Sequence, residues 1–162
     1  MYGTFKKFEK FAQHKDLGPV RKLHKKYGFP EKDFSETYSR FVKAIVGVGS
    51  GSGNDIPFGL TTEFILLTNP YKNKKQNFLK LKLVYEGKPR SDAQVEIFER
   101  SDTGNVRIAT TRTSKNGIAV IPIKRGYEYL FDSVKLRRAE PSQAEGVVWE
   151  TLWAALMVKI PL

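Results

Sequence analysis

From Tyr38 to the end of the chain, the sequence contains short segments in which every second residue is apolar. Residues typical of turns separate these segments. The clearest segment carries Leu79, Leu81 and Leu83 before the turn residues Gly87 to Pro89. Such alternation is typical of half-buried β-strands. Eight segments of this kind predict strands at 40–48, 61–67, 77–85, 94–99, 106–113, 118–123, 127–136 and 148–160.

No helical pattern of useful length separates these segments, which excludes a doubly wound parallel sheet. Asn116 and Gly117 both tolerate positive φ, and they predict a tight hairpin between the strands on either side. The pattern therefore favours a mainly β, antiparallel sandwich or closed barrel. The expected core is Phe64, Leu66, Leu79, Leu81, Leu83, Val95, Ile97, Ile108, Val120, Tyr129, Phe131, Trp153 and Leu156.

Residues 1–36 have a different period and are expected to form an N-terminal helical segment. Phe5, Phe8 and Phe11 recur at helical spacing between charged residues, and Gly18-Pro19 ends this helix and begins a second one. A basic amphipathic helix can lie on an anionic membrane surface. The aromatic stripe favours the alternative, in which the helices dock on the rest of the protein.

The composition narrows the function classes. The 162 residues include no cysteine, which excludes disulfides, a thiolate nucleophile and a cysteine-based metal site. No apolar run approaches the roughly 20 residues of a transmembrane helix, so no transmembrane segment is expected. The 28 Lys and Arg against 17 Asp and Glu give a formal net charge of +11.

The basic residues suggest a candidate binding surface for an anionic partner. It consists of Lys72, Lys74, Lys75, Lys80 and Lys82. Lys80 and Lys82 alternate with leucines, which favours the wet face of a strand over a track for nucleic-acid phosphates. Nucleic acid is therefore not the expected partner.

The motifs that would indicate an enzyme are missing from the sequence. The glycine-rich segment 47–53 is followed by Asn54 and Asp55 rather than by the Lys-Ser or Lys-Thr of a phosphate-binding loop, which favours a flexible loop between strands. No serine lies in a strand-to-helix elbow, and no paired carboxylates mark a cleft. We expect a protein that is not an enzyme. His14 and His24 are the sole imidazoles available to a metal.

Three strand segments resemble a known type of module. Residues 85–97, 109–119 and 122–129 resemble the pattern of Gly-x-Pro, Asn-Gly and Gly-x-Tyr turns in prealbumin-like and collagen-adhesin-B-like modules. The resemblance implies that residues 37–162 form an immunoglobulin-like antiparallel β-sandwich.

Three further segments narrow the resemblance. Residues 38–46, 59–71 and 149–156 resemble an uncharacterised bacterial extracytoplasmic family whose members are described as the periplasmic component of cobalt or nickel uptake. The resemblance implies a periplasmic or other extracytoplasmic protein, with an export signal that this chain lacks. It also implies binding or accessory work in Ni²⁺ or Co²⁺ uptake, with a membrane metal-uptake complex or another envelope protein as partner.

The sequence leaves two function hypotheses open. In the first, the protein serves nickel or cobalt uptake, and His14 and His24 are the candidate metal ligands. In the second, it is an interaction module of the cell envelope whose basic face binds a protein or an anionic polymer.

Overall fold

A computed structural model describes residues 1–72, 75–140 and 144–162. The described residues form two helices and nine strands: α1 Phe5–His14, α2 Val20–Lys26, β1 Ser35–Ile45, β2 Thr62–Leu66, β3 Phe78–Tyr85, β4 Lys88–Pro89, β5 Gln94–Arg100, β6 Val106–Arg112, β7 Ile118–Pro122, β8 Glu128–Arg138 and β9 Val147–Lys159. The predicted mainly β class with an N-terminal helical segment is confirmed.

The strands form two sheets. The five-stranded sheet has the order β1-β9-β8-β5-β6, and in the four-stranded sheet β3 pairs with β2, β4 and β7. The pairs β2–β3, β3–β4, β3–β7, β5–β6 and β5–β8 are all antiparallel. This is the strand arrangement of a β-sandwich.

The described residues group into two compact units. The first comprises Met1–Arg40 and Val134–Trp153. Its core is largely aromatic, because α1 turns Phe5 and Phe8 inward at helical spacing and Phe34 and Trp149 pack against them. The phenylalanine stripe in the sequence is therefore the face by which the helices pack in this unit.

The second unit comprises Phe41–Ser133 and Ala154–Leu162. Its core takes every second residue of strands from both sheets. The side chains of Leu79, Leu81 and Leu83 on β3 are fully buried, as are Phe131 on β8 and Leu156 on β9. The strict alternation of β3 in the sequence correctly identified this inward face.

Two predicted core residues of this unit are exposed. Ile108 on β6 is 60% exposed and Val120 on β7 is 52% exposed. Their neighbours Ala109 and Ala119 take the inward positions instead. In these strands apolar residues occupy both faces, so hydrophobicity alone does not reveal which face is buried. A third predicted core residue, Trp153 of the first unit, is only partly buried.

At two predicted turns the structure differs from the prediction. Lys88 and Pro89 were expected in a turn but form the short strand β4 against β3. The Asn116–Gly117 turn is present, with Gly117 at φ +73°. The prediction that it closes a hairpin is wrong, because β6 belongs to the five-stranded sheet and β7 to the four-stranded one. The turn therefore carries the chain from one sheet to the other.

Candidate functional site

The outward face of the four-stranded sheet carries two of the five lysines that the sequence identified. Because successive side chains of a strand point to opposite faces, burial of the leucines turns Phe78, Lys80 and Lys82 outward from β3. Lys80 is exposed and Lys82 is partly exposed. The central strand of this sheet thus presents two ammonium groups on one face.

Each of these lysines lies between apolar side chains of the neighbouring strands. Lys82 is in register with Ile65 on β2 and with Ile118 on β7. Lys80 is in register with Val120 on β7, and its carbonyl oxygen accepts the N–H of Leu67 at 2.8 Å. We call the following side chains the lysine face: Ile65, Leu67, Phe78, Lys80, Lys82, Ile118 and Val120.

Apolar surface on this face is exposed as well as charge. Leu67 is 48% exposed and Phe78 is 36% exposed. The ammonium of Lys80 lies 5.8 Å from the centre of the Phe78 ring, within the range of a cation–π contact. The lysine face therefore offers both positive charge and apolar contact area.

Within the described chain, no carboxylate forms an ion pair with Lys80 or Lys82. Alternation turns Glu63 to the same side of β2, but its carboxylate is buried and accepts the N–H groups of Phe58 at 3.1 Å and Gly59 at 3.2 Å. The positive charge of the lysine face is thus available to an external anion.

The other lysines of the predicted set are placed differently. Lys72 and Lys75 are exposed in the turn segment that precedes β3. Lys74 lies outside the described residues. The structure therefore brings Lys80 and Lys82 together on one sheet face and puts Lys72 and Lys75 at the entrance to the same strand.

A buried ionic cluster lies at the outer edge of β2, and the sequence analysis missed it. The Nζ atom of Lys43 lies 2.8 Å from Oδ1 of Asp55 and 3.6 Å from Oε2 of Glu63. It also donates to the carbonyl oxygens of Ile56 and Phe64, both at 3.1 Å. A lysine at an inward position of β1 was the available signal, since a buried ammonium needs a partner.

This cluster occupies the hydrogen-bonding groups at the edge of β2. Asp55 Oδ2 accepts a hydrogen bond from the N–H of Leu66 at 2.8 Å, while Lys43 Nζ donates to the carbonyl oxygen of Phe64. The segment from Asp55 to Gly59 is thereby fastened against β2. The cluster holds the strand next to the lysine face in place.

The glycine-rich segment 47–53 wraps around the ring of Tyr71. A Cβ atom at Gly47 would lie 2.8 Å from the ring carbon Cδ1. The Asn69 side chain donates to the carbonyl oxygens of Gly51 and Gly53, both at 2.8 Å. These contacts replace the open loop that the sequence suggested with a segment packed on an aromatic ring.

A cavity of about 340 Å³ lies between this segment and residues 66–71. Among its described lining residues, Asp55 is the single acidic one, and that carboxylate is already bonded to Lys43. Tyr71 also lines the cavity, and burial raises the pKa of its hydroxyl. Within the described part of the lining, no two groups are arranged for acid–base chemistry.

His24 is fully buried in the aromatic core of the first unit. Its Nε2 lies 2.9 Å from the carbonyl oxygen of Pro30, and its Nδ1 accepts the indole N–H of Trp149 at 3.0 Å. The tautomer with hydrogen on Nε2 satisfies both bonds. His24 thus serves as a hydrogen-bonding link in the core. His14 is exposed in the last turn of α1.

The described residues contain no group of three or more His, Cys, Asp or Glu side chains placed to hold a metal ion. Binding of nickel or cobalt through His14 and His24 stays a prediction. No helix in residues 1–72, 75–140 or 144–162 is long and apolar enough to span a membrane.

The fold and the lysine face define a β-sandwich protein with a basic, partly apolar sheet surface. Residues 2–135 match the family described as a domain of unknown function, DUF4198, and the chain belongs to that family. No curated protein and no solved structure matches the chain.

Proposed function

We propose that this protein is a non-enzymatic binding module of the bacterial cell envelope whose lysine face holds an acidic segment of another envelope protein. The observation that carries the proposal is the placement of Lys80 and Lys82 on the central strand, without an ion-pair partner in the described chain and on the same face as the exposed side chains of Leu67, Phe78 and Val120.

The apolar side chains favour a polypeptide as the partner. A polysaccharide or a nucleic-acid backbone would use the ammonium groups but would gain little from Leu67, Phe78 and Val120. Burial of apolar surface contributes about 25 cal/mol per Å². A segment that combines carboxylates with apolar side chains would use both parts of the face.

The magnitudes indicate a moderate affinity. An exposed ion pair contributes about 0.2–1 kcal/mol, so the two lysines alone would not give a stable complex. The apolar contacts would add to them, and the charges would contribute mainly to orientation and to the association rate. We expect a reversible complex that weakens at high salt.

The support beneath the face favours recognition without rearrangement. β3 is paired with β2, β4 and β7, and its inward leucines are fully buried. The Lys43–Asp55 pair fastens the edge of β2. A preformed surface of this kind avoids most of the ordering cost of binding.

The test uses fluorescence anisotropy with a labelled peptide of mixed glutamate and leucine residues as the probe. The binding of wild type is compared with that of a variant carrying Lys80→Glu and Lys82→Glu. The matched control carries Lys6→Glu and Lys10→Glu, which change the net charge equally at two exposed positions of α1. We expect at least a tenfold loss of affinity in the first variant and a small loss in the control.

Two results would overturn the proposal. Equal losses in the two variants would mean that the peptide responds to the net charge of +11 rather than to this face. Binding of poly-L-glutamate as tight as that of the mixed peptide would remove the role of the apolar side chains. Circular dichroism of each variant verifies that the fold is intact.

A further inference from the structure

Among the described residues, the outer edge of β6 presents backbone groups that pair with no other strand of the five-stranded sheet. β6 is the last strand in the sheet order, after β5. The N–H of Ser101 bonds the carbonyl of Asn105, and the N–H of Thr113 bonds the carbonyl of Ala93, so the odd-numbered residues of β6 face β5. The backbone groups that point away from β5 along the middle of the strand are therefore those of Val106, Ile108 and Thr110.

Each edge strand of the four-stranded sheet carries a feature that hinders pairing with an incoming strand. The edge of β2 is bonded by Lys43 and Asp55. β7 ends in Pro122 and β4 in Pro89, and proline lacks the N–H that an added strand would need. Capping side chains and prolines are two ways in which proteins prevent pairing at sheet edges.

β6 carries neither device in the described structure. Its sequence, Val-Arg-Ile-Ala-Thr-Thr-Arg, contains no proline and no lysine and is rich in β-branched residues. Val106 is 57% exposed and Ile108 is 60% exposed at this edge. The edge therefore combines unpaired hydrogen-bonding groups with exposed side chains that favour strand formation.

We propose that β6 pairs with β6 of a second copy of this chain, antiparallel, about a two-fold axis at Ile108. This surface lies on the opposite sheet from the lysine face, and the inference does not depend on the proposed function. The pairing would join the two five-stranded sheets of the partners into one continuous sheet.

The sequence of β6 is self-complementary in this register. Ile108 lies opposite the partner's Ile108, and Val106 lies opposite the partner's Thr110. Arg107 lies opposite the partner's Ala109, so like charges are not directly opposed. The three outward residue pairs would make about six backbone hydrogen bonds, two for each pair.

The apolar side chains on the outer face support the same axis. Ile108 is in register with Phe98 on β5, and Phe98 is in register with Leu130 on β8. A two-fold axis at Ile108 places this row end to end with the same row of the partner. The apolar contact would then continue across the interface, as an isologous dimer requires.

Disulfide trapping tests the register directly, because the natural chain has no cysteine. Residues opposite each other in a hydrogen-bonded antiparallel pair have Cα atoms about 5.5 Å apart, which suits a disulfide. The variant Ile108→Cys is expected to form a covalent dimer under mild oxidation. The matched control Val120→Cys has similar exposure, 52% against 60%, and is expected to stay monomeric.

Sedimentation of the unmodified chain supplies the second measurement. We expect a concentration-dependent dimer that Ile108→Lys abolishes and Val120→Lys preserves. The high positive charge of each copy opposes association, so added salt should strengthen the dimer, whereas it should weaken peptide binding at the lysine face.

Three results would overturn the inference. They are a monomer at every concentration and salt level, equal cross-linking of the two cysteine variants, and a dimer that Ile108→Lys leaves intact. None of them bears on the lysine face, since peptide binding is measured on a different surface. Failure of one proposal is therefore distinguishable from failure of the other.

Discussion

Lys43 and Asp55 form a buried ion pair in which Nζ and Oδ1 lie 2.8 Å apart and both side chains are almost completely shielded from solvent. The pair joins β1 to the segment that runs along the edge of β2. Since Asp55 also accepts the N–H of Leu66, the ion pair and the strand edge depend on each other. The buried ion pair therefore holds β2 in place.

Replacement of Lys43 tests that dependence. Lys43→Met leaves the carboxylates of Asp55 and Glu63 buried beside each other without their cation. We expect the free energy of unfolding to fall by about 3–5 kcal/mol, as it does when one partner of a buried pair is removed. Urea denaturation followed by circular dichroism measures the change. The control Lys159→Met removes an exposed contact to Glu128 and should cost at most about 1 kcal/mol. Equal costs would contradict the structural role of the cluster.

The packing of the glycine-rich segment on Tyr71 gives a second prediction. Gly51 has φ +63°, and an added Cβ would lie 2.7 Å from the Cβ of Tyr71. Gly49 has a similar φ of +58° but nothing within 4 Å of an added Cβ. Gly51→Ala should therefore destabilise the protein more than Gly49→Ala, because both share the backbone strain and only the first adds a clash. Thermal unfolding compares the two variants, and equal melting temperatures would count against the packing.

The environment of Glu99 predicts how the stability of the protein changes at acidic pH. The Lys124 ammonium donates to its carboxylate at 2.7 Å and, with the Tyr129 hydroxyl, holds the pKa of Glu99 below its ordinary 4.5 against the opposing effect of burial. A carboxyl with a lowered pKa in the folded state stabilises the protein above its unfolded pKa. That contribution is lost as pH falls through the folded value.

Stability should therefore decline below about pH 4.5, and Glu99→Gln should remove part of the decline. Its effect at neutral pH should stay below about 1 kcal/mol, since Lys124 is largely exposed. The free energy of unfolding measured from pH 6 to pH 3 tests this, with the exposed Glu140→Gln as the control. If Glu99→Gln left the decline in the free energy of unfolding at low pH unchanged, the prediction would be contradicted.

His24 gives a prediction that separates a core role from a metal-binding role. His24→Phe keeps an aromatic ring but leaves the Trp149 indole N–H without its acceptor. We expect a loss of about 1–3 kcal/mol, the cost of an unsatisfied buried donor. The exposed His14→Phe should change stability little.

Nickel titration provides the complementary readout for His24. A metal at Nδ1 would displace the Trp149 hydrogen bond, so Ni²⁺ should cause no saturable quenching of tryptophan fluorescence that depends on His24. Saturable quenching that His24→Phe removes and His14→Phe retains would contradict the core role.

The sequence predicted the helices and most strands because their periods are distinct. On β3 only the face of Leu79, Leu81 and Leu83 is uninterrupted by charge, so it must be the inward face. On α1 the phenylalanine stripe likewise identifies the face that packs against the strands. Ile108 and Val120 were misplaced because small residues next to them fill the core, and a local pattern cannot reveal what faces it across the sandwich.

The candidate site was predictable only in part for a related reason. Lys80 and Lys82 alternate within one strand, so their shared face follows from the sequence. Their apolar neighbours Leu67 and Val120 depend on the strand order and register. The Lys43 cluster joins residues that are distant in sequence, and their pairing follows only from the tertiary fold.

The salt dependence of peptide binding is the most direct test of the central claim. Anisotropy titrations of the glutamate–leucine peptide at increasing sodium chloride compare wild type with the Lys80→Glu, Lys82→Glu variant. The account predicts that the affinity of wild type falls with salt to a residual apolar level, and that the variant binds weakly at every salt concentration. A wild-type affinity independent of salt, or a variant with the same affinity and slope as wild type, would contradict a binding role for the lysine face.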